Sequence, residues 1–163
     1  MGAYSREEIA GIYRRQFKMV YQLCLVLMKH VPDAEDAAQT VFQRVMERSE
    51  PFRDPEHERA WLIVTARNEC RDQLKHWWRR KREDESALDT LAWEQPEDGL
   101  VWEQVAALPE KHRLVRYLHY YQGYTTDEIA QMLGENPSTV RSRLVQARKK
   151  LKLRLEAEGC GNS

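Results

Sequence analysis

The stretch from residue 125 to residue 155 constrains the fold of this chain more than any other feature. Thr125 and Glu128 have the spacing of a capping box, which opens a short helix that Gly134 ends. Pro137 then begins a longer helix, because proline is favoured in the first turn. A short helix, a tight turn and a longer helix form a helix-turn-helix, so the sequence predicts this motif near its C-terminal end.

The longer helix of this motif carries a strong positive charge. Residues 137–155 contain seven Lys or Arg and no Asp or Glu, a net charge of +7. Val140 and Leu144 are spaced to pack on the preceding helix, so Arg141 and Arg143 are predicted to face base edges or phosphates. Basic helices are often merely solvated. Together with the capped turn, however, this charge favours nucleic-acid binding.

The charges elsewhere are also arranged in blocks, although the chain as a whole is neutral. Residues 67–82 contain seven basic and two acidic residues, net +5, whereas residues 83–103 contain eight acidic and no basic residues, net −8. Two basic stretches that flank an acidic one indicate anionic partners. Because the acidic stretch also contains Pro96 and Gly99 and lacks periodicity, residues 83–100 are predicted to be a flexible acidic linker.

The residues before this linker have the pattern of three helices. Ser5 and Glu8 form a second capping box, Pro32 ends the first helical region, and Asp33 is predicted to cap the next helix. A third helix is predicted over residues 56–82. The fold class is therefore all-α, with two small domains at 1–82 and 101–158. Apolar periodicity predicts inward positions that include Val41, Phe42, Val45 and Met46 in the second helix and Leu114, Val115, Leu118 and Tyr121 in the second domain.

Several classes of protein are disfavoured. The longest apolar run, Leu23–Met28, is far shorter than the roughly 20 residues of a membrane-spanning helix, and no leader is evident, so a cytoplasmic location without membrane insertion is expected. Three widely spaced cysteines and five scattered histidines form no ligand pattern, and no Glu has a His three residues later. There is no glycine-rich phosphate loop either. We therefore expect no catalytic residue, metal, cofactor or small-molecule substrate.

Sequence motifs in both predicted domains resemble those of one protein family. The run from Leu108-Pro109-Glu110 through Thr125–Ala130 to Ser138–Arg143 resembles region 4 of bacterial sigma-70 family sigma factors. Residues 33–42 are similar to region 2.2, and residues 60–72 to the regions that follow it. With no room for regions 1.1 or 3, the layout resembles the extracytoplasmic function group. The resemblance implies a non-enzymatic factor that binds core RNA polymerase, recognises minus-35 and minus-10 promoter elements and initiates transcription.

The resemblance also implies roles for particular residues. Region 2 would dock on the coiled coil of the β′ clamp, region 4 on the β flap, and an anti-sigma factor would be a further partner. The minus-35 residues would be Ser138, Thr139, Arg141, Ser142, Arg143, Gln146 and Arg148. The minus-10 residues would be Phe52, Arg67, Asn68, Arg71 and Lys75. The polymerase-binding residues would be Asp36, Gln39, Thr40, Gln43 and Arg44.

The sequence alone also leaves other interpretations open. A stand-alone dimeric helix-turn-helix regulator would use the same C-terminal unit, but it needs two recognition helices, and no dimerisation segment is evident. A metal-dependent helical enzyme lacks the required ligand spacing. Trp77 and Trp78 are suited either to stacking on displaced bases or to packing within the protein, and packing is the commoner role.

Overall fold

The computed structural model describes residues 2–81 and 107–161 of the 163, with side chains described over 2–76 and 107–152. Every regular element in these ranges is helical, and the helices fall into two compact units, which confirms the predicted all-α, two-domain fold. The predicted linker and the side chains of Trp77 and Trp78 lie outside the described part. The bounds 1–82, 83–100 and 101–158 therefore stay predictions.

The first unit is a three-helix bundle. Helices α1 (Arg6–Met28), α2 (Val31–Glu47) and α3 (Pro55–Lys81) each pack on the other two. The apolar run Leu23–Met28 is buried on all sides at the end of α1, so it belongs to the core of the bundle. The fully buried side chains that meet there include Val20, Leu23, Cys24, Val41, Val45, Leu62, Ala66 and Cys70.

Helix α1 begins as the capping box predicted. The Ser5 hydroxyl accepts a hydrogen bond from the Glu8 N–H (3.2 Å), and the Ser5 N–H donates to the Glu8 carboxylate (3.1 Å). The helix ends at Lys29, which adopts a left-handed conformation (φ 56°) and donates its N–H to the Leu25 carbonyl. Two of the otherwise unpaired N–H groups are thus satisfied by the sequence motif itself.

The predicted start of α2 was wrong. Asp33 does not cap this helix, which begins at Val31 with His30 as its N-cap and Pro32 within the first turn. Proline fits there because it has no N–H to satisfy and its φ is already helical. The Asp33 carboxylate pairs instead with the His30 ring nitrogen (2.9 Å), where the helix dipole favours negative charge.

A second prediction was wrong near the end of α2, at Met46. Met46 was predicted to face inward, but 46% of its surface is exposed. Its neighbour Val45 is fully buried, and one residue further along a helix turns the side chain by about 100°, beyond the edge of the buried stripe.

The second unit contains the predicted helix-turn-helix. It comprises α4 (Glu110–Arg116), a π-helical segment (Tyr117–Tyr121), α5 (Thr126–Leu133) and α6 (Pro137–Gly161). Thr125 caps α5 through the predicted box with Glu128, and Gly134 ends α5 with a φ of 68°, a value that favours glycine. The core that α4, α5 and α6 share includes Leu114, Val115, Leu118, Ile129, Ala130, Leu133, Val140, Ala147 and Leu151.

The π-helical segment explains why Tyr121 was wrongly predicted to be inward. The Gln122 N–H donates to the Tyr117 carbonyl, five residues earlier, and the Tyr124 N–H donates to the Leu118 carbonyl. A widened turn of this kind moves later side chains out of the 3.6-residue register. Leu118 is still buried, but 48% of the surface of Tyr121 is exposed.

Candidate nucleic-acid interface

The first turns of α6 present one polar face. Val140, Ala147 and Leu151 are buried against the rest of the second unit, and they define the inner side of the helix. Most of the predicted minus-35 residues lie on the opposite side. Ser138, Arg141, Ser142, Gln146 and Arg148 are exposed, whereas Thr139 and Arg143 are half-buried.

The two predicted arginine readers have different environments. Arg141 is 57% exposed, and its guanidinium lies 3.9 Å from the exposed carboxylate of Asp127, a weak surface pair that a phosphate or base can replace. Arg143 is only 17% exposed and lies 3.3 Å from Glu135, in the turn between α5 and α6. Arg141 can therefore extend from the surface, whereas Arg143 braces the turn.

Arg148 belongs to an aromatic and cationic cluster. Its guanidinium donates to the Tyr120 hydroxyl (2.8 Å), and the Arg116 guanidinium lies 4.3 Å from the centre of the Tyr120 ring. The hydrogen bond from Arg148 holds the pKa of the Tyr120 hydroxyl below its ordinary value, although partial burial opposes the effect. This cluster fixes one cation at the edge of the polar face of α6.

Sequence reasoning missed one residue of this face. Val145 is 51% exposed, a high value for an apolar side chain, and it lies one helical turn after Arg141 and Ser142. The thymine methyl group is the apolar feature of the major groove, and an aliphatic side chain can contact it. The repeat of exposed positions 138, 141, 145 and 148 was the available signal, but apolar residues were assigned only to the core.

The first unit contains a concave site. A cleft of about 670 Å³, which we call the Asn68 cleft, lies between the end of α2 and the middle of α3. This volume is within the range of sites that hold small ligands or single bases. Its lining residues are Arg44, Glu47, Arg48, Ser49, Glu50, Trp61, Thr65, Asn68, Glu69 and Asp72.

Two side chains give the Asn68 cleft its character. The Asn68 amide oxygen accepts hydrogen bonds from the Arg67 guanidinium (3.2 and 3.1 Å), an arrangement that orients the amide group. Trp61 supplies an aromatic wall, and the Arg48 guanidinium lies 4.9 Å from the centre of its ring. An amide and a flat apolar wall are what an extruded base requires. Sequence reasoning found Asn68 but did not assign Trp61 to the site.

The other predicted minus-10 residues lie outside this lining. The Phe52 ring packs among Tyr4, Arg48, His57 and Trp61 and is half-buried. On α3, Arg71 is half-buried one turn after Asn68, and Lys75 is exposed two turns after it. The structure therefore gathers the predicted set along the loop and along α3 rather than into one pocket.

The predicted polymerase-binding residues share one side of α2. Asp36, Gln39, Gln43 and Arg44 are exposed, and the Thr40 hydroxyl donates to the Asp36 carbonyl (3.0 Å). Arg44 also pairs with Glu69 of α3 at 3.1 Å. The exposed Met46, three residues after Gln43, adds an apolar side chain that sequence reasoning had placed in the core.

The described residues form neither a group of metal ligands nor a membrane-spanning helix. Among the side chains described, those of residues 2–76 and 107–152, no three His, Cys, Asp or Glu are grouped so that they could hold a metal ion. In the same part of the chain, no helix combines the length and apolar character needed to cross a membrane.

Two family models match the chain. One, described as Sigma-70 region 2, matches residues 12–82, and another, described as Sigma-70 region 4, matches residues 98–151. The first range covers most of the three-helix bundle, and the second covers the helix-turn-helix up to residue 151 of α6.

Two curated relatives that match over most of their length are sigma factors. The RNA polymerase sigma-E factor of Streptomyces coelicolor is 30% identical over 136 residues, 77% of this chain and 73% of that protein. The ECF RNA polymerase sigma factor SigL of Mycobacterium tuberculosis is 29% identical, over 91% of this chain and 89% of its own. Among solved structures, the sigma factor RpoE of Bartonella quintana, in complex with the anti-sigma factor NepR, has a TM-score of 0.71 at 18% identity. It covers 88% of this chain and 94% of its own, and at that identity the likeness bears on fold alone.

Proposed function

The chain belongs to the sigma-70 family of RNA polymerase sigma factors, in its extracytoplasmic function group, and from this premise we propose how its two units share promoter recognition. As a sigma factor it binds core RNA polymerase and directs it to promoters. The second unit recognises the minus-35 duplex. The first unit binds one base of the minus-10 element and also contacts the β′ clamp of the polymerase. The protein has no enzymatic activity of its own and acts in the cytoplasm.

The outer face of α6 carries the minus-35 part of this proposal. Its exposed donors begin in the first turn, where a recognition helix meets the major groove, and Arg141 is the most suitable base reader. Val145 contacts a thymine methyl, and Arg148 contacts a phosphate. Ser138, Thr139, Ser142 and Gln146 supply the remaining polar contacts, and Arg143 holds the turn in place.

The Asn68 cleft carries the minus-10 part. We assign it one extruded base of the displaced strand, which stacks on Trp61 and receives a hydrogen bond from the Asn68 amide. Because Glu47 and Glu50 also line the cleft, a base with an exocyclic amino group is favoured over thymine. Arg67, Arg71 and Lys75 attract the phosphates of the strand, and Phe52 supports the loop.

The exposed side of α2 is the proposed contact with the β′ clamp. Asp36, Gln39, Thr40, Gln43 and Arg44 form its polar rim, and Met46 is its apolar anchor, since interfaces concentrate binding energy in a few buried apolar side chains. The second unit docks on the β flap. By analogy with the RpoE complex with NepR, an anti-sigma factor is a further partner.

A transcription assay tests the proposed function. Core RNA polymerase is supplied with a pool of genomic fragments, with and without the protein, and the 5′ ends of the transcripts are mapped. We expect defined starts that depend on the protein and share two sequence elements. Tight specific DNA binding without dependent transcripts would instead favour the dimeric regulator, an alternative that does not account for the match of residues 12–82 to region 2.

A further inference from the structure

The N-terminal arm, residues 2–5, is attached to the end of α2. The Ala3 N–H donates to the Arg48 carbonyl at 2.7 Å. Gly2 lies so close to the helix that a Cβ added there would collide with the backbone oxygen of Met46. The arm therefore follows a fixed path before α1 begins.

From this path, Tyr4 reaches the loop between α2 and α3, residues 48–54. The Tyr4 hydroxyl accepts a hydrogen bond from the Phe52 N–H at 2.6 Å, and the two ring centres are 5.9 Å apart. Phe52 is at the same time in contact with Arg48, whose guanidinium lies 4.2 Å from the ring centre, and with Trp61 at 5.4 Å.

The same loop forms one side of the Asn68 cleft. Arg48, Ser49 and Glu50 line the cleft, and the Arg48 side chain donates to the Glu50 carbonyl at 3.2 Å. Arg48 also contacts Trp61, the aromatic wall of the cleft. The arm is hydrogen-bonded to this loop at two points, the carbonyl of Arg48 and the N–H of Phe52.

We propose that the N-terminal arm is a strap that positions the 48–54 loop for base selection at the minus-10 element, with Tyr4 as its positioning residue. The proposal rests on the assignment of the Asn68 cleft to a minus-10 base. Tyr4 touches no DNA in this account. It acts by fixing Phe52 and Arg48, so that the loop and Trp61 keep a single geometry when the base enters. A site held in one geometry discriminates more sharply than a loose one, because misfitting bases cannot be accommodated.

The test compares Tyr4→Phe with the wild type in the full-length protein. Tyr4→Phe removes the hydroxyl that holds the Phe52 N–H and keeps the ring. Tyr13→Phe is the matched control, because the Tyr13 ring packs on Phe17 and Phe42 within the bundle. Each protein, with core polymerase, transcribes a promoter library that is randomised over the minus-10 element. At each position we measure the ratio of transcripts from the most favoured base to those from the second most favoured base.

We expect Tyr4→Phe to lower this preference by about fivefold, the effect of one neutral hydrogen bond, with core capture and minus-35 binding unchanged. Gly2→Ala should act in the same direction, because the added Cβ displaces the arm. In the free protein, hydrogen exchange at the Phe52 N–H should become faster in Tyr4→Phe and stay unchanged in Tyr13→Phe.

The outcomes separate the strap from the cleft. A wild type without any base preference at minus-10 would overturn the assignment of the cleft, and the strap with it. A wild-type preference that Tyr4→Phe retains in full would overturn the strap and leave the cleft intact. Equal losses in Tyr4→Phe and Tyr13→Phe would also overturn it, since a general loss of stability would then be the cause.

Discussion

The surfaces that we propose for DNA have opposite shapes in the two units. In the second unit, the surface is the convex side of one helix, and its side chains follow one another at helical spacing. In the first unit, it is a cleft whose walls come from the end of α2, the following loop and the middle of α3. A convex helix suits the groove of an intact duplex, whereas a cleft suits a base that has left the stack. This difference in shape supports our proposal that the second unit recognises duplex DNA and the first unit binds an extruded base.

The largest expected effect concerns the contact with the polymerase β′ clamp, which we assign to the α2 face of the first unit. Met46→Asp should weaken the capture of core polymerase by about 3 kcal/mol, roughly 100-fold, because a charge replaces an apolar anchor. Val145→Asp, the matched change at the exposed apolar side chain of α6, should leave capture within twofold and weaken minus-35 binding instead. Fluorescence titration with core polymerase measures the capture by each variant, and titration with a minus-35 duplex measures the DNA binding. Normal capture by Met46→Asp would remove α2's end from the interface.

The next effect in size distinguishes the two arginines of α6, Arg141 and Arg143. Arg141→Ala should weaken binding to a minus-35 duplex by about 1 to 3 kcal/mol and relax the sequence preference, because a bidentate base contact is lost. Arg143→Ala should act mainly through stability, since Arg143 is held by Glu135 in the turn. Thermal unfolding and duplex titration of the same samples separate the two effects. If Arg143→Ala relaxes the sequence preference while the second unit keeps its melting temperature, the assigned roles are reversed.

These surfaces also differ in how much the sequence could predict. The outer side of α6 follows from a capping box, a glycine and a 3.6-residue period, which are local patterns. Of the residues predicted to face outward, Ser138, Arg141 and Ser142 are exposed, whereas Thr139 and Arg143 are half-buried. The Asn68 cleft joins residues up to 28 positions apart, from Arg44 to Asp72, so no local pattern reveals it. Asn68 was predicted only through the family resemblance, and Trp61 was missed.

The positional errors have local physical causes. Tyr121 left the helical register because of the π-helical segment, and Met46 lay one residue beyond the buried stripe. Periodicity alone cannot show either effect, because both depend on how a helix end meets its neighbours.

A smaller effect is expected at Val145. Val145→Ala should lower the preference for thymine over cytosine at one minus-35 position by about 1 kcal/mol, because two methyl groups no longer contact the thymine methyl. Competition between duplexes with thymine, cytosine and uracil measures this loss. Uracil lacks only the methyl group, so a wild type that binds uracil and thymine duplexes equally would contradict the methyl contact.

The smallest effect concerns the capping box of α5, formed by Thr125 and Glu128. The N–H of Thr125 donates to the Glu128 carboxylate and holds its pKa below the ordinary value of 4.5. A carboxyl group with a lowered pKa in the folded state stabilises the fold above pH 4.5, and this contribution is lost as the pH falls through the folded value. Glu128→Gln should therefore reduce the loss of stability of the second unit below pH 4.5, measured by thermal unfolding. An unchanged pH profile would contradict this role of the box.

The most direct test of the division between the units uses two promoter libraries, one randomised at minus-35 and the other at minus-10. Core polymerase with wild-type protein, Arg141→Ala or Asn68→Ala transcribes each library, and the selected sequences are compared. We expect Arg141→Ala to change base selection only at minus-35 and Asn68→Ala to change it only at minus-10. Changes at the opposite element, or at both elements in either variant, would contradict separate reading of the two elements.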